Sequence, residues 1–555
     1  MHKALYSPDI LLYIIEILCP SKPGFTCHYD HYNEDDSTGG RSALAALART
    51  ARIFLDPCLN AIWRHLFSLS PLLNCLDDSP NAILDGPGML RNPGYFEKNP
   101  DNLNWDRFDC YAHRVRSLWM DNEGEIPVAV LFVLATTHRT PLLPLLQHLM
   151  WRHTDPARLS YIHLFCGPAL RRLSIFRPAG DGPDNNPHAE EDRSIITTLM
   201  LSLRDRSPSL HTVEFLLEDG DCFSHDDVYP EASWMVLAMP LMRSFRSATS
   251  LSSRAFTRLS SMQGLCSINL TGREVVGASR NPQLFFPDLE EFSIQEIELK
   301  YATDFLLSFP HRHSFKSINI STRHKTPGSA IEQFITALCK QCNPETLARL
   351  CLRLDPYGCR HPEDDADPPA SSDVLARLRT FTQLRELSIQ ACAIQWEDQF
   401  MKDVAPALHR LTALELDSEC TKHSKLTMQC LIPLAANCPD LQSILLHLHS
   451  WDDPDPTLMT IQRPRAASSL PRLDVHFNDV PAKAERRIAV ALKAIFPNVY
   501  ASRNQRVEFW IRHDLPGYQT ITEEDYSTYR SRLPQDLHGA ATIFYPDPER
   551  WLSIP

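Results

Sequence analysis

Cys339-Lys-Gln-Cys342, followed by Cys351 and Cys359-Arg-His361, has the opening spacing of a zinc site, where two thiolates on one turn meet two later ligands. The surrounding pattern argues against a metal. Cys351 falls at an outward position of a short strand, and Cys342-Asn-Pro344 reads as the turn that ends a helix. Cys19, Cys27, His28 and His31 could also gather round an ion, yet they sit in a polar insertion that reads as a loop. Glu363-Asp364-Asp365 lies in a Pro-rich stretch, where solvated charge is the ordinary reading. The chain has no nucleophile elbow, no Walker loop and no His-Glu-x-x-His, so nothing supplies an activated nucleophile, a phosphate cradle or a metal pair. The expectation is a non-catalytic chain that uses no metal and no cofactor.

The elements that would hold such residues carry the stronger signal. A hydrophobic phrase Φ-x-x-Φ-x-Φ begins at Val115, Leu146, Leu170, Leu210, Leu265, Leu289, Phe315, Leu347, Leu384, Leu411, Leu441 and Leu470, with a degraded copy at Met242. Its mean spacing of about 30 residues is that of a solenoid. Leu384-Arg-Glu-Leu387-Ser-Ile389-Gln-Ala-Cys392-Ala-Ile394 resembles a leucine-rich repeat at every specified position. In it Leu387 and Ile389 point inward from a short strand and Cys392 turns the chain. Leu434-Ala-Ala-Asn437-Cys438-Pro439 resembles the type in which a helix ends at Cys-Pro.

Composition narrows the function classes. With 555 residues the chain exceeds one ordinary compact core, which a repeat array avoids by adding units. A net charge of −13 and the lack of a Lys/Arg block disfavour a nucleic-acid partner. The longest apolar run, Ile126 to Ala135, contains Pro127 and is too short to span a membrane. Pro8, Asp9 and Glu16 interrupt what could otherwise pass for a signal peptide. Sixteen scattered cysteines fit buried thiols in a reducing compartment, so an intracellular chain, cytoplasmic or nuclear, is expected.

Ser7-Pro8-Asp9 reads as a helix start, and Ile10 to Leu18 is apolar on nearly every side. Leu44, Leu47, Ala48, Ala51 and Leu55 form a second stripe. Asp56-Pro57 then reads as the start of a third helix bearing Leu59, Ile62, Trp63 and Leu66, and Ser70-Pro71 as the start of a fourth. The order of these helices, the early Pro8, Leu44-Ala-Ala-Leu47-Ala-Arg49-Thr and Leu59-Asn-Ala-Ile62-Trp63 resemble an F-box. Trp105-Asp-Arg-Phe108 and Tyr111 to Leu118 are similar to the entry into the repeats of basidiomycete-type fungal F-box proteins, so the resemblance covers most of the chain. Ser7 stands where the family has Leu, and residues 20–42 interrupt the first two helices.

The resemblance implies a substrate-recognition subunit of a Skp-cullin-F-box ubiquitin ligase. Pro8, Leu11, Ile14, Leu18, Leu47, Phe54, Leu59 and Trp63 would bind a Skp-type adaptor, and through it a cullin, while the repeats bind a protein substrate. The alternative is a leucine-rich-repeat scaffold uncoupled from ubiquitination, its helices serving only as a cap. Under either reading the fold is α/β: an all-α module over 1–75 with a mobile insertion near 20–42, a linker over 76–104, an irregular curved solenoid over 105–499 with short parallel strands inside and helices outside, and a cap over 500–555.

If the phrase forms the inner strand, its third, fifth and seventh residues project from the inner face. Early repeats then present Trp119, His148, Met150, Arg152, Arg172 and Phe176, the expected substrate anchors because aromatic and Arg side chains dominate binding energy. Middle repeats present Ser267, Asn269, Ser293, Gln295, Ser317 and Asn319, and late ones the acidic Glu415, Asp417 and Asp474.

Overall fold

The computed structural model describes residues 7–18, 34–76, 84–85, 89–90, 103–120, 126–152, 156–177, 198, 203–217, 230–239, 241–247, 251–271, 285–322, 325–354, 368–417, 424–450, 472–479, 495–496, 506–511 and 541–542. The chain divides into two compact units, Met1–Arg258 and Leu259–Pro555.

The first unit opens with three helices, α1 (Pro8–Leu18), α2 (Glu34–Ala48) and α3 (Arg52–Trp63). Leu11, Ile15, Leu44, Ala48, Phe54 and Cys58 form their core. Two expectations change. The insertion read as a loop is helical from Glu34 onward, as the amino-terminal half of α2. Asp56-Pro57 does not start a helix: α3 already begins at Arg52, with Ala51 extended before it, and Pro57 sits inside. Proline there removes one intrahelical donor and crowds the carbonyl of Ile53, a cost set against the burial of Phe54 and Cys58. Ser70-Pro71 does start a helix, α4 (Ser70–Leu73). Between them, β1 (His65–Leu66) leaves α3 directly. The segment read as a linker holds an antiparallel pair, β2 (Leu84–Asp85) and β3 (Met89–Leu90), and α5 (Trp105–Ala112) follows it.

Every copy of the phrase becomes a strand that begins two residues after its first apolar residue. In the first unit these are β4 (Ser117–Met120), β5 (His148–Arg152), β6 (Arg172–Arg177), β7 (Thr212–Leu217) and β8 (Ser244–Ser247), the last arising from the degraded copy at Met242. They pair in parallel and in chain order behind β1, without stagger: His65 pairs Ser117, Ser117 pairs His148, His148 pairs Arg172, Arg172 pairs Thr212 and Thr212 pairs Ser244.

The second unit follows the same rule with β9 (Ser267–Thr271), β10 (Glu291–Ile297), β11 (Ser317–Thr322), β12 (Arg349–Arg353), β13 (Glu386–Gln390), β14 (Ala413–Asp417), β15 (Ser443–Ser450) and β16 (Arg472–Asp479). The ladder then runs on past residue 500, where a cap was expected: β17 (Arg506–Ile511) pairs β16 and β18 (Ala541–Thr542) pairs β17, both parallel. The parallel ladder with helical crossovers is a solenoid-like repeat architecture.

The phrase works because its three apolar positions lie on the helix side. Phe292, the fourth residue of its phrase, stacks at 4.2 Å on Phe305 of the crossover helix α6 (Leu299–Leu307). Trp151, the sixth residue of its phrase, packs 5.7 Å from Phe165. Residues between them fall on the opposite face by the two-residue period of a strand. Helix-ending cysteines close the crossovers as the sequence implied. Cys342 caps α7 (Gly328–Gln341) with its N–H on Leu338 O at 2.9 Å, and Cys438 caps α8 (Leu431–Asn437) with its N–H on Leu434 O at 2.9 Å. The Cys438 thiol donates to Leu408 O at 3.5 Å, and burial pushes it up to about 12. Gly328 opens α7 where a Cβ would meet Pro368 O and Ala370 N at 2.4 Å, so only glycine lets that backbone approach.

Candidate interaction surface

The expected anchors sit together on the ladder face of the first unit that carries no helices. Trp119 pairs Met150 and Met150 pairs Ser174, so the fifth residues of successive phrases form one rank. Arg152 pairs Phe176 in the seventh-residue rank, and His148 pairs Arg172 in the third. Unstaggered pairing brings all six within three neighbouring strands. Phe67, one residue beyond β1, extends the apolar rank: its ring meets Trp119 edge-on at 5.5 Å, and the Arg41 guanidinium lies 5.4 Å over it. The helical module therefore supplies part of this surface.

Arg172 is committed to the fold. Its Nη2 donates to Glu214 Oε1 at 2.6 Å and its Nε to Glu214 Oε2 at 3.1 Å, while Ser174 Oγ donates to the same Oε2. Glu214 is 6% exposed. Half-buried itself, Arg172 spends its Nε and Nη2 edge on that buried carboxylate. Glu214 did not figure among the expected residues, although it is the fifth residue of the Leu210 phrase. Its neighbours become visible only once the register is known.

His65 and His148 flank Ser117 in the third-residue rank. Burial, with Arg64, His148 and Arg41 nearby, lowers the His65 imidazole to about 4. Burial, with Arg172, Arg171, His211 and Arg64, lowers His148 as well. Because the unfolded imidazole titrates near 6.5, His65 supports the fold fully above that pH. The support is lost as pH falls toward about 4. We expect thermal stability to drop on acidification across that window, by at most about 1.4 kcal/mol per pH unit, and the drop to shrink in His65→Gln. Melting temperatures of both proteins across the window provide the check.

The helical module places the adaptor candidates unequally. Leu11 and Phe54 are buried in the three-helix core at 6% and 4% exposure, so both act in folding, and a partner cannot reach them in the closed module. Ile14, Leu18, Leu47 and Leu59 are half-buried, with Leu18 and Leu47 packed on that core, and Pro8 is the first residue of α1. Trp63 stacks on Tyr111 at 4.4 Å. Sequence reasoning missed the residues that do face out: Ile10 (40%), Tyr13 (66%) and Ile17 (66%) form a stripe along α1, with Leu12, Ile53 and Leu55 also exposed. On an all-apolar helix only the packing partner decides which side is inside.

In the second unit the middle and late residues form a polar face. Ser388 Oγ donates to Glu415 Oε2 at 2.7 Å and Gln390 Nε2 to Glu415 Oε1 at 2.6 Å, beside Cys351, in a hollow of about 280 Å³. Burial raises the Cys351 thiol, so it is no activated nucleophile. Asp417 and Asp474 lie on β14 and β16. Among the described residues no three His, Cys, Asp or Glu side chains gather to hold a metal. Cys339 and Cys342 sit at the end of α7, whereas Cys359, His361 and the Cys19 to His31 group lie outside the described residues. Among those described, no helix is long and apolar enough to cross a membrane.

No protein-family model and no curated protein matches the chain. Among solved structures, a chain from the crystal structure of the Rad7 and Elc1 complex in yeast is similar, at 12% identity and a TM-score of 0.33, over 71% of this chain and 86% of that one. A likeness this low carries no functional argument.

Proposed function

We propose that this chain is the substrate-recognition subunit of a Skp-cullin-F-box type ubiquitin ligase, making and breaking no bond itself. The helical module binds a Skp-type adaptor, and the helix-free ladder face binds the protein to be modified. The observation that supports this reading is the apolar stripe Ile10, Tyr13 and Ile17, left uncovered although α1 buries its other side in the module core. An exposed apolar stripe of this kind marks a protein-binding surface.

The test is co-purification of the full chain with a Skp-type adaptor. The wild type is expected to retain the adaptor, and Ile10→Asp with Ile17→Asp to lose it while keeping its helical circular dichroism. Failure of the wild type to bind, or equal binding by the variant, sinks the reading. Leu11 is a poor choice for this test because a charge there breaks the core.

One observation favours the scaffold alternative. The module is tied to the ladder by β1 pairing with β4, by the Trp63–Tyr111 stack and by Arg114, which donates to Asp56 Oδ1 at 2.8 Å and also to Asn60 Oδ1. A repeat array needs such a terminal shield whether or not an adaptor binds. The co-purification experiment decides between the two.

A further inference from the structure

The second residue of each phrase forms a rank of its own along the amino-terminal edge of the strands. In the first unit that rank reads Arg64, Arg116, Gln147, Arg171, His211 and Arg243. Main-chain hydrogen bonds hold it in line: Arg116 N donates to Arg64 O at 2.9 Å, Gln147 N to Arg116 O at 2.8 Å, Arg171 N to Gln147 O at 2.8 Å, His211 N to Arg171 O at 3.1 Å and Arg243 N to His211 O at 2.8 Å. Four arginines and a histidine thus stand on successive turns with no acid among them.

Arg64, Arg171 and Arg243 are exposed, and their guanidinium groups meet no carboxylate among the described residues. Among the described residues, the Arg116 guanidinium donates to the carbonyls of His113 and Leu145 and to no carboxylate. The local field agrees: burial first, and then Arg64, Arg41, Arg171, Arg172, Arg243 and neighbouring imidazoles, lower His65, His148 and His211. The inward acid Glu214 is already bonded by Arg172 and Ser174.

The corresponding rank of the second unit is balanced. It reads Cys266, Glu290, Lys316, Ala348, Arg385, Thr412 and Gln442, and there Lys316 pairs Glu290 at 2.7 Å. The uncompensated row is therefore a property of the first unit and not of the repeat.

We infer that the rank Arg64, Arg116, Arg171, His211 and Arg243 binds an acidic, extended peptide segment of a protein partner, laid across the strands with an apolar side chain over Phe67, Trp119 and Met150. This deepens the proposal that the ladder face is a protein-binding surface and needs nothing from the adaptor. Its six positions, about 4.8 Å apart, span roughly 24 Å, the reach of about seven extended residues. Carboxylates fit a rank whose four arginines lack acids of their own. The chain's overall charge of −13 repels a nucleic-acid backbone beyond this patch.

The experiment uses the purified full chain without adaptor and a labelled peptide of about seven residues, alternating Glu and Asp around one Leu, read by fluorescence anisotropy. The matching Lys peptide and a single-stranded oligonucleotide serve as competing probes. We expect the acidic probe to bind, to weaken as salt rises, and to lose at least about tenfold in affinity in Arg171→Glu with Arg243→Glu. Lys402→Glu, an exposed change on the second unit, should leave binding unchanged. No binding by the wild type, equal binding by the double variant, equal binding of the Lys peptide, or tighter binding of the oligonucleotide each overturns the inference. Because the adaptor is left out, this result stands apart from the co-purification outcome.

Discussion

Arg172→Ala is expected to destabilise the first unit by about 3–5 kcal/mol, because it strands the Glu214 carboxylate in a buried position with only Ser174 as donor. The cost lies less in the lost attraction than in the uncompensated charge, since the desolvation of Glu214 remains when its partner is gone. Two further variants separate these contributions. Arg172→Met with Glu214→Leu removes both charges at similar volume and should recover most of the stability. Glu214→Gln keeps the shape and an acceptor, and should cost less than Arg172→Ala. Urea titration of all three, followed by circular dichroism, gives the ranking. If Arg172→Ala were as stable as wild type, Arg172 would be available to a partner, as its place on the inner face first suggests.

That reversal shows where sequence reasoning ends. The phrase locates the strands because its three apolar positions answer to one physical demand, burial against the crossover helices, and that demand repeats at every turn. Even the weak copy at Met242 yields β8, since Phe245 still fills the fourth position at 1% exposure. At the ends the same offset holds after part of the phrase has gone: β1 follows Trp63-Arg-His-Leu66-Phe-Ser68, and β17 follows Asn504-Gln-Arg-Val507-Glu-Phe509. β1, at the edge of the ladder, loses an apolar position where one side of it has no further repeat to bury, which is why a search for the full phrase misses it.

The candidate surface was legible in membership but not in commitment. Trp119, Met150 and Arg172 do share a face, yet whether a side chain there is free depends on the neighbouring strand. Glu214 lies 40 residues beyond Ser174, and only the zero-stagger register sets them side by side. The helical module fails in the opposite way. Ile10 to Leu18 offers apolar residues on every side, so periodicity cannot say which are core. Leu11 and Ile15 turn inward because α2 and α3 pack there, leaving Tyr13 and Ile17 outside. Pro57 misleads because proline is common at helix starts, whereas here packing of Phe54 and Cys58 carries α3 through it.

Phe292→Ala should cost about 3–5 kcal/mol in the second unit, the range for deleting a large ring from a packed core. Phe292 lies parallel to Phe305 at 4.2 Å and 7° and sits 6.0 Å from Phe315. Phe305 in turn meets Phe309 edge-on at 5.1 Å and Phe286 at 5.8 Å, and Phe309 meets Phe315 at 5.6 Å. His313 closes the group at 4.4 Å from Phe315, its Nε2 2.7 Å from Leu289 O. Removing the Phe292 ring leaves a void beside Phe305, and the β10 backbone, paired on both sides by β9 and β11, cannot collapse into it. Phe292→Leu keeps most of the volume and should cost less than half as much. In a repeat array each turn is held chiefly by its neighbours, so the alanine variant should melt in a separate early phase, with the strands around β10 losing amide protection first. A single undivided transition, shifted by less than about 1 kcal/mol, would show that the aromatic group contributes area and not shape.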